Sequence, residues 1–281
     1  MNIYEETKFL MKKYNISANK DLGQNFLIDD NVIENIVESA EINEKDFVIE
    51  IGPGLGTLTS RLVEKAGKVI AIELDKKMLQ ILNDRFALYD NFSLINEDVL
   101  KVDLNNLIQQ ENTQNYTVKI VANLPYYITT PIVMKLLEEK LNIDSITVMV
   151  QKEVADRLTE TPGGKNTGAI TYCVYYYAEP KEVLTVPNTS FVPEPKVDSE
   201  VIKLNIRKEP PVDLVDEKMF FKVVKASFMQ RRKTLLNGLS NSGIASKEKL
   251  REILQELNLS ENVRGESLSI EQFAKIANKL C

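Results

Sequence analysis

The chain has 281 residues, of which 43% are apolar and 27% are charged, and its formal net charge at pH 7 is −6. This length suits one large domain plus a small one, and the composition is that of an ordinary soluble globular protein. No apolar run approaches the roughly eighteen residues of a membrane span, and no secretory signal is visible at the N-terminus. The two cysteines, Cys173 and Cys281, favour a reducing compartment over a disulfide framework. We therefore expect a cytoplasmic protein that makes no use of a membrane.

Histidine is absent from the sequence. A Ser-His-Asp triad and a histidine-based metal site are therefore excluded. Any acid–base step must use carboxylates, Lys, Tyr or water. We expect no metal site, and a reaction that needs no base poised near neutrality.

Strand-like and helix-like runs alternate through the first 190 residues. The apolar, β-branched runs are "FVIEIG", "KVIAIEL", "FSLINED", "VKIVANL" and "SITVMVQ". Helical patterns such as "TLTSRLVEKAG", "KKMLQILNDRF" and "TPIVMKLLEEKL" lie between them. This alternation predicts βαβ units and a parallel sheet covered on both faces, an α/β fold. The later runs "PKEVLTVP" and "SEVIKLNIR" are expected to add an antiparallel edge.

After Pro210-Pro211 the pattern becomes helical, including "DEKMFFKVVKASFMQ" and "RRKTLLNGL". We place a catalytic domain at residues 1–207, with an N-terminal segment at 1–24, and a small all-helical domain at 208–281. From residue 191 onward the chain has 16 Lys and Arg against 13 Asp and Glu, whereas the first 190 residues have 19 against 28. The densest basic cluster comprises Lys222, Lys225, Arg231, Arg232 and Lys233. It suits either a nucleic-acid contact or a solvated helix face.

The first candidate site is the loop of "VIEIGPGLGTLTSRL". Gly52, Gly54 and Gly56 follow a buried strand and precede a helix, so the backbone can turn tightly and approach a ligand. Glu73 ends the next strand, 21 residues after Gly52, where a carboxylate suits the two hydroxyls of a ribose. A dinucleotide-binding protein and a methyltransferase both fit these features. A tight turn without a ligand also remains open.

The spacing of the glycines favours a methyltransferase over a dinucleotide-binding protein. The dinucleotide fingerprint would place its third glycine at Thr57, whereas this loop reads G-x-G-x-G after Glu50. The loop resembles motif I of S-adenosyl-L-methionine (SAM)-dependent methyltransferases. Asp98 follows the third strand, where such enzymes bind the adenine amine, although a helix N-cap explains an Asp equally well.

The second candidate site is "NLPYYITTP", at the end of the fourth strand. The exocyclic amine of adenine is a poor nucleophile because its lone pair is delocalised into the ring. The side-chain oxygen of Asn123 and the carbonyl of Leu124, directed by Pro125, supply two acceptors for its N–H bonds. The ring of Tyr126 is able to stack on the base and favour the positive charge that develops. A turn with a packed tyrosine is the alternative.

Several motifs together resemble the ribosomal RNA adenine N6-dimethyltransferases of the KsgA (RsmA) type. They are "DLGQNFLID", "EIGPGLGTLT", "AIELDKK", "NEDVL", "NLPYYITTPI", "MVQKEVADRL", "FVPEPKVDSEVIKL" and "FMQRRKTLLNGL". The resemblance extends from about Lys20 to the C-terminus. It implies a Rossmann-like class I methyltransferase sheet with a helical RNA-recognition domain, and SAM as cofactor. It also implies dimethylation of two adjacent adenosines in the 3′-terminal hairpin loop of 16S rRNA, within the immature small subunit. A monomer is the default expectation.

The resemblance also implies roles for individual residues. Asn25 and Leu27 cover the cofactor, and Gly52, with Gly54 beside it in the loop, contacts its methionine end. Glu73 binds the ribose, Asp98 binds the adenine, Asn123 touches cofactor and target amine, and Phe191 sandwiches the target base opposite Tyr126. The chain departs from the family pattern at Asp21, which weakens an expected RNA phosphate contact beside Lys20, and at Thr167.

Two other functions are compatible with these motifs. An Erm-type methyltransferase acting on 23S rRNA shares the glycine loop and a similar N-x-P-Y motif, but "TTPI", "PKVDSEV" and "QRRKTLLNGL" favour the small-subunit enzyme. An assembly factor that binds the immature subunit, with methylation secondary, would also use a basic helix around Arg231.

Overall fold

The computed structural model describes residues 2–19, 22–230 and 232–281. Within these ranges the strands are β1 (Phe26–Leu27), β2 (Asp46–Ile51), β3 (Lys68–Glu73), β4 (Phe92–Asn96), β5 (Thr117–Asn123), β6 (Ser145–Gln151), β7 (Ala178–Val186), β8 (Phe191–Val192) and β9 (Ser199–Ile206). The α-helices there are α1 (Ile3–Lys13), α2 (Asp30–Ser39), α3 (Thr57–Lys65), α4 (Lys76–Phe86), α5 (Leu104–Glu111), α6 (Thr129–Glu138), α7 (Lys152–Thr159), α8 (Ala169–Tyr177), α9 (Glu217–Met229), α10 (Leu235–Asn241), α11 (Lys247–Glu256) and α12 (Ile270–Leu280).

The chain divides into two compact units, Met1–Ala155 with Pro180–Ile206, and Asp156–Glu179 with Arg207–Cys281. In the described part of the first unit, a seven-stranded sheet has the order β4-β3-β2-β5-β6-β9-β7. Strands β2 to β6 pair in parallel, whereas β9 runs antiparallel to β6. The α/β fold and the antiparallel addition are both confirmed. The strand order changes direction between β2 and β5, where open sheets of this kind bind ligands at the carboxyl ends.

Burial explains why the central strands are nearly continuous in apolar residues. Phe47, Val48 and Ile49 of β2 and Val121 of β5 are inaccessible to solvent. Strands covered on both faces carry such runs instead of alternating with polar residues. Helices α2, α3 and α4 contribute apolar side chains, among them Ile33, to one core with Val48 and Val121.

A second, two-stranded sheet joins segments far apart in the sequence. β1 runs antiparallel to β8, with Leu27 opposite Phe191. Beyond the ladder, the Ile28 N–H donates to the Ser190 carbonyl across 2.9 Å, and the Ser190 hydroxyl donates to Asp29 Oδ2 across 2.9 Å. The segment before α2 is therefore fixed to the segment that carries Phe191.

The second unit is helical and has its own core. Tyr172 of α8 lies in this core, its ring packed edge-on against Phe273 with centroids 4.8 Å apart. Its hydroxyl donates to the Leu268 carbonyl across 2.6 Å. Residues 156–179 thus group with the C-terminal helices, and the compact units differ there from the sequence-based boundary at 207/208. The functional meaning of that boundary stays a prediction.

The prediction of a helix through "RRKTLLNGL" is wrong in its first part. α9 ends at Met229 and α10 begins at Leu235. The side chain of Thr234 accepts a hydrogen bond from the Asn237 N–H and caps the start of α10. Arg232 and Lys233 consequently lie in the turn between two helices, and Arg231 lies outside the described residues. None of the helices in the described ranges has the length and apolar character needed to cross a membrane.

Candidate active site

An open cleft of about 1080 Å³ lies at the carboxyl ends of the central strands. Its lining comes from the segment around β1, the loops after β2, β3 and β4, and the "NLPYYI" segment after β5. The predicted site residues in this lining are Asn25, Leu27, Gly52, Gly54, Glu73, Asp98, Asn123, Leu124 and Tyr126. The structure therefore brings nine of the ten residues predicted for cofactor and base into one cleft.

The glycine loop after β2 has a backbone that other residues rarely adopt. Gly52, Gly54 and Gly56 have φ angles of 68°, 57° and 79°, in the left-handed region that favours glycine. A Cβ on Gly56 would also lie only 2.7 Å from Cε2 of Phe86. The loop therefore packs tightly on α4 at Gly56, whereas Gly52 and Gly54 present bare backbone to the cleft.

Glu73 is the carboxylate at the end of β3, and it is 6% exposed. Its Oε2 accepts the Gly54 N–H across 3.0 Å, and its Oε1 accepts the Asp75 N–H across 2.8 Å. Burial raises the pKa of Glu73, and these backbone donors oppose that shift. Each oxygen keeps a further lone pair for a ligand in the cleft.

Asp98 lies in the same lining, after β4. Its Oδ1 accepts the Leu100 N–H across 3.0 Å, so the side chain shapes the local turn. The cap-like role that the sequence left open is real, but at a turn and not at a helix start. It coexists with a position in the cleft, and the adenine contact stays a prediction.

Asn123 and Leu124 present two oxygen acceptors. The Asn123 side-chain amide nitrogen faces the Asn25 carbonyl at 3.4 Å, which orients the amide because a carbonyl only accepts. The Leu124 N–H donates to the Met149 carbonyl across 3.1 Å. Within the described ranges, no donor bonds to Asn123 Oδ1 or to the Leu124 carbonyl oxygen. Both oxygens have hydrogen-bonding capacity to offer a ligand.

Tyr126 begins a 3₁₀ turn, Tyr126–Ile128, immediately after these two residues. Its hydroxyl forms a 2.7 Å hydrogen bond with the hydroxyl of Ser199. Burial raises the pKa of Tyr126, and the Ser199 contact opposes the shift. The phenol therefore stays neutral at physiological pH, with its ring in the lining and its far end tied to β9.

Phe191 is the one predicted aromatic that does not line the cleft. It is 1% exposed and belongs to the core of the first unit. Its place opposite Leu27 in the β1–β8 ladder puts it next to a residue of the lining. Its role against the target base stays a prediction.

The cleft is acidic. No Lys or Arg occurs in the part of its lining that the structure describes. The lining includes the carboxyl groups of Glu73, Glu97 and Asp98, together with the buried Glu50, which is uncharged at pH 7. Such a surface complements a sulfonium and an ammonium group and opposes the pyrophosphate of a dinucleotide. The electrostatics thus favour SAM over the dinucleotide alternative.

In the sequence Glu50 stands out only through its place before the glycine loop, but the structure gives it a distinct environment. It is 1% exposed, and its Oε2 accepts a 2.6 Å hydrogen bond from the Thr59 hydroxyl. Burial raises the pKa of Glu50 to about 8, with the Thr59 contact opposing the shift. The signal in the sequence was its position in the G-x-G-x-G pattern. The burial that makes it protonated at pH 7 had no local signature.

In the second unit, the four described members of the basic cluster are all exposed: Lys222, Lys225, Arg232 and Lys233. Lys222 and Lys225 belong to α9, three residues apart on one helix face. None of the four forms an ion pair with a carboxylate of the described residues.

Among all the residues that the structure describes, no group of three or more Asp, Glu or Cys side chains could hold a metal ion.

The sheet order, the glycine loop and an acidic cleft at the switch point are those of a class I SAM-dependent methyltransferase. The family model described as "Ribosomal RNA adenine dimethylase" matches residues 15–281, and the chain belongs to this family. The protein is thus an rRNA adenine dimethyltransferase that uses SAM.

Two named relatives extend this comparison. The ribosomal RNA small subunit methyltransferase A of Bacillus cytotoxicus is 51% identical over 277 residues, which cover 98% of this chain and 95% of the relative. The protein of the same name from Clostridioides difficile is 49% identical over 278 residues, covering 99% and 96%.

Solved structures show the same architecture. A dimethyladenosine transferase from Plasmodium falciparum has a TM-score of 0.73 and 26% identity, covering 89% of this chain and 95% of its own. The 23S rRNA methyltransferase ErmE has a TM-score of 0.68 and 24% identity, covering 91% and 99%. The likeness to ErmE shows the shared fold alone.

Proposed function

We propose that this protein transfers methyl groups from SAM to N6 of two adjacent adenosines in the 3′-terminal hairpin loop of 16S rRNA. The substrate is the immature small ribosomal subunit in the cytoplasm, and the enzyme acts as a monomer. Relatives about half identical over nearly the whole chain are named for the small subunit, which supports this substrate over 23S rRNA. The observation that carries the proposal is the pair of acceptor oxygens, on Asn123 and Leu124, next to the ring of Tyr126.

The cofactor site uses the acidic cleft. Glu73 accepts from the ribose hydroxyls through lone pairs that its backbone donors leave available. Asp98 accepts from the adenine amine, and the bare backbone at Gly52 and Gly54 admits the methionine end. Asn25 and Leu27 cover the cofactor from the β1 side. When bound, SAM supplies a methyl group activated on a positively charged sulfur.

Asn123 and Leu124 prepare the target amine. Asn123 Oδ1 and the Leu124 carbonyl accept its two N–H bonds, which favours a pyramidal nitrogen with its lone pair available for attack. Positive charge develops on the adenine during transfer, and both oxygens stabilise it because they are already aimed at the amine. The protonated product is a strong acid and loses its proton to water, so the absence of histidine is no obstacle.

Tyr126 and Phe191 hold the target base. Flipping an adenine out of its stack costs a few kcal/mol, and stacking on an aromatic ring offsets part of that cost. A hairpin loop lowers the cost further. Since Phe191 is buried, its part in the sandwich requires the β8 segment to expose one ring face when RNA binds.

RNA phosphates contact the basic cluster of the helical unit, at Lys222, Lys225, Arg231, Arg232 and Lys233. The four described cations, all but Arg231, lack carboxylate partners among the described residues, so RNA binding at these four breaks no ion pair. Counterion release makes this contact sensitive to salt. The same surface is able to hold the immature subunit independently of methylation.

Asn123→Ala tests the proposal and separates catalysis from binding. We expect methyl transfer to immature small subunits to fall at least a hundredfold, since one stabilising acceptor is lost in the transition state. Binding of immature subunits should change less than threefold, because the basic cluster that binds the RNA is untouched. Asn35→Ala, on the exposed surface of α2, is the matched control and should behave as wild type. Undiminished transfer by Asn123→Ala would refute the proposed role of the amide.

A further inference from the structure

The motif "PKVDS" ends at Ser199, a residue to which the proposed function assigns no role. Ser199 is fully buried, and its hydroxyl meets the Tyr126 hydroxyl at 2.7 Å. These residues are 73 positions apart in the sequence. A hydrogen bond at the far end of a phenol ring restrains both the tilt and the sideways position of that ring.

The backbone around Ser199 is itself anchored. Ser199 lies opposite Gln151 in the β6–β9 ladder. One residue earlier, the Asp198 carbonyl accepts the Lys152 N–H across 3.1 Å. The serine hydroxyl is therefore presented from the sheet and not from a mobile loop, and its position does not depend on the Tyr126 segment.

The same motif also holds the segment before Phe191. Asp198 Oδ1 accepts the Asn188 N–H across 3.0 Å, and the Pro195 carbonyl accepts the Asn188 side-chain amide across 3.1 Å. Asn188 begins the 3₁₀ turn Asn188–Ser190 that leads directly into Phe191. Two consecutive residues, Asp198 and Ser199, thus connect to the segments of both aromatic rings.

We infer that Ser199 is a positioning residue for methyl transfer, because it holds the Tyr126 ring at the place where the target adenine stacks. This inference rests on the proposed stacking role of Tyr126. Asp198, immediately before β9, fixes the segment that leads into Phe191. The start of β9 thus determines the distance between the Tyr126 and Phe191 segments. Ser199 contacts neither base nor cofactor and acts only through Tyr126.

The test is a double-mutant cycle with Ser199→Ala, Tyr126→Phe and the double variant. Each single change removes one partner of the same hydrogen bond and keeps the aromatic ring. We expect each to lower kcat for methylation of immature subunits about three- to tenfold, the range of one hydrogen bond. The double variant should be no slower than the worse single variant. The Kd for SAM and the melting temperature with SAM bound are measured for every variant, and the Kd should change less than twofold.

Ser145→Ala is the matched control. Ser145 begins β6, in the same pair of strands, and is also buried. Its hydroxyl has no hydrogen-bond partner among the described residues. Loss of a buried serine hydroxyl as such would slow Ser145→Ala and Ser199→Ala alike, which would overturn the inference. We expect wild-type kcat for the control.

Three further outcomes would contradict the inference: an unchanged kcat in Ser199→Ala, a loss that multiplies with that of Tyr126→Phe, or a raised Kd for SAM. Tyr126→Phe removes the same hydrogen bond from its other partner and supplies the same test if Ser199→Ala fails to fold. Tyr126→Ala distinguishes failure of the proposed stacking role of Tyr126 from failure of the positioning role of Ser199. If removal of the ring leaves methylation intact, the stacking role itself fails, whereas loss in Tyr126→Ala with no effect of Ser199→Ala refutes only the positioning role.

Discussion

The Gly54 N–H donates to Oε2 of Glu73 across 3.0 Å, joining the loop after β2 to the end of β3. The second oxygen of Glu73 accepts the Asp75 N–H. The carboxylate is thus held in place by two backbone donors before any ligand binds. This preorganisation favours tight binding, because the ligand does not have to order the side chain.

Glu73→Gln should weaken SAM binding about 10- to 100-fold. The amide has one acceptor oxygen where the carboxylate has two, so either a backbone N–H or a ribose hydroxyl loses its charge-assisted partner. Glu97→Gln is the matched control, since Glu97 lines the same cleft but is exposed, and it should change the Kd less than threefold. Equal losses in both variants, measured by calorimetry, would show that only the overall negative charge matters.

The buried Glu50 predicts a specific dependence of stability on pH. Its pKa rises from the ordinary 4.5 to about 8, chiefly through burial. Between these values the folded protein keeps a proton that the unfolded chain releases, so the free energy of unfolding falls as pH rises. The slope from this group is at most about 1.4 kcal/mol per pH unit. Stability from this source is complete below pH 4.5 and lost above pH 8.

Glu50→Gln removes this titration and keeps an acceptor for the Thr59 hydroxyl. The variant should gain melting temperature relative to wild type at pH 8.5, in the absence of SAM, and the gain should shrink towards pH 5.5. Thermal melts across this range provide the measurement. Parallel curves for the two proteins would mean that Glu50 ionises normally in the folded state.

Arg85 of α4 supports the glycine loop from behind. Its Nη1 donates to the Leu55 carbonyl across 2.5 Å, and its Nη2 pairs with Glu6 of α1 across 2.7 Å. Arg85→Met should lower the free energy of unfolding by about 2–4 kcal/mol, because a mostly buried acceptor and carboxylate lose their donor. It should also weaken SAM binding, since the loop loses a support. Glu6→Gln keeps the Leu55 contact and should bind SAM as wild type does, which urea unfolding and SAM titration would check.

The basic cluster predicts an effect on RNA binding alone. Reversing Lys222 and Lys225 to Glu should weaken binding of immature subunits at least tenfold at moderate salt and reduce the dependence of log Kd on log salt. The Kd for SAM should stay unchanged. Reversal of Lys247 and Lys249, exposed on α11 of the same helical unit, is the control with the same charge change. Equal weakening by both pairs would assign the effect to net charge.

The sequence predicts the site well where chemistry is local. The glycine spacing, Glu73 and the "NLPY" segment each lie at the end of a buried strand, and parallel strands bring their carboxyl ends to one edge. Apolar periodicity likewise predicts α4 over Lys76–Phe86.

What the sequence could not predict depends on distant pairing or on single capping residues. The β1–β8 ladder consists of two residues on each strand, which is too few for a periodic pattern in the sequence. The pairing of Leu27 with Phe191 therefore could not be predicted from the residues around either one. The hydrogen bond between Tyr126 and Ser199 likewise joins residues 73 positions apart. The basic run around Arg232 looked helical because its residues have good helix propensity, but the Thr234 cap starts the helix after it.

Methyl transfer from radiolabelled SAM tests the central claim most directly. The acceptors are immature small subunits and large-subunit rRNA precursors, each from cells that lack the corresponding methylation, with the labelled nucleoside identified by chromatography. We predict N6,N6-dimethyladenosine in the small-subunit RNA alone, at two adjacent positions of the 3′-terminal hairpin. Label confined to the large-subunit RNA, or no label from a protein that binds SAM, would contradict the account.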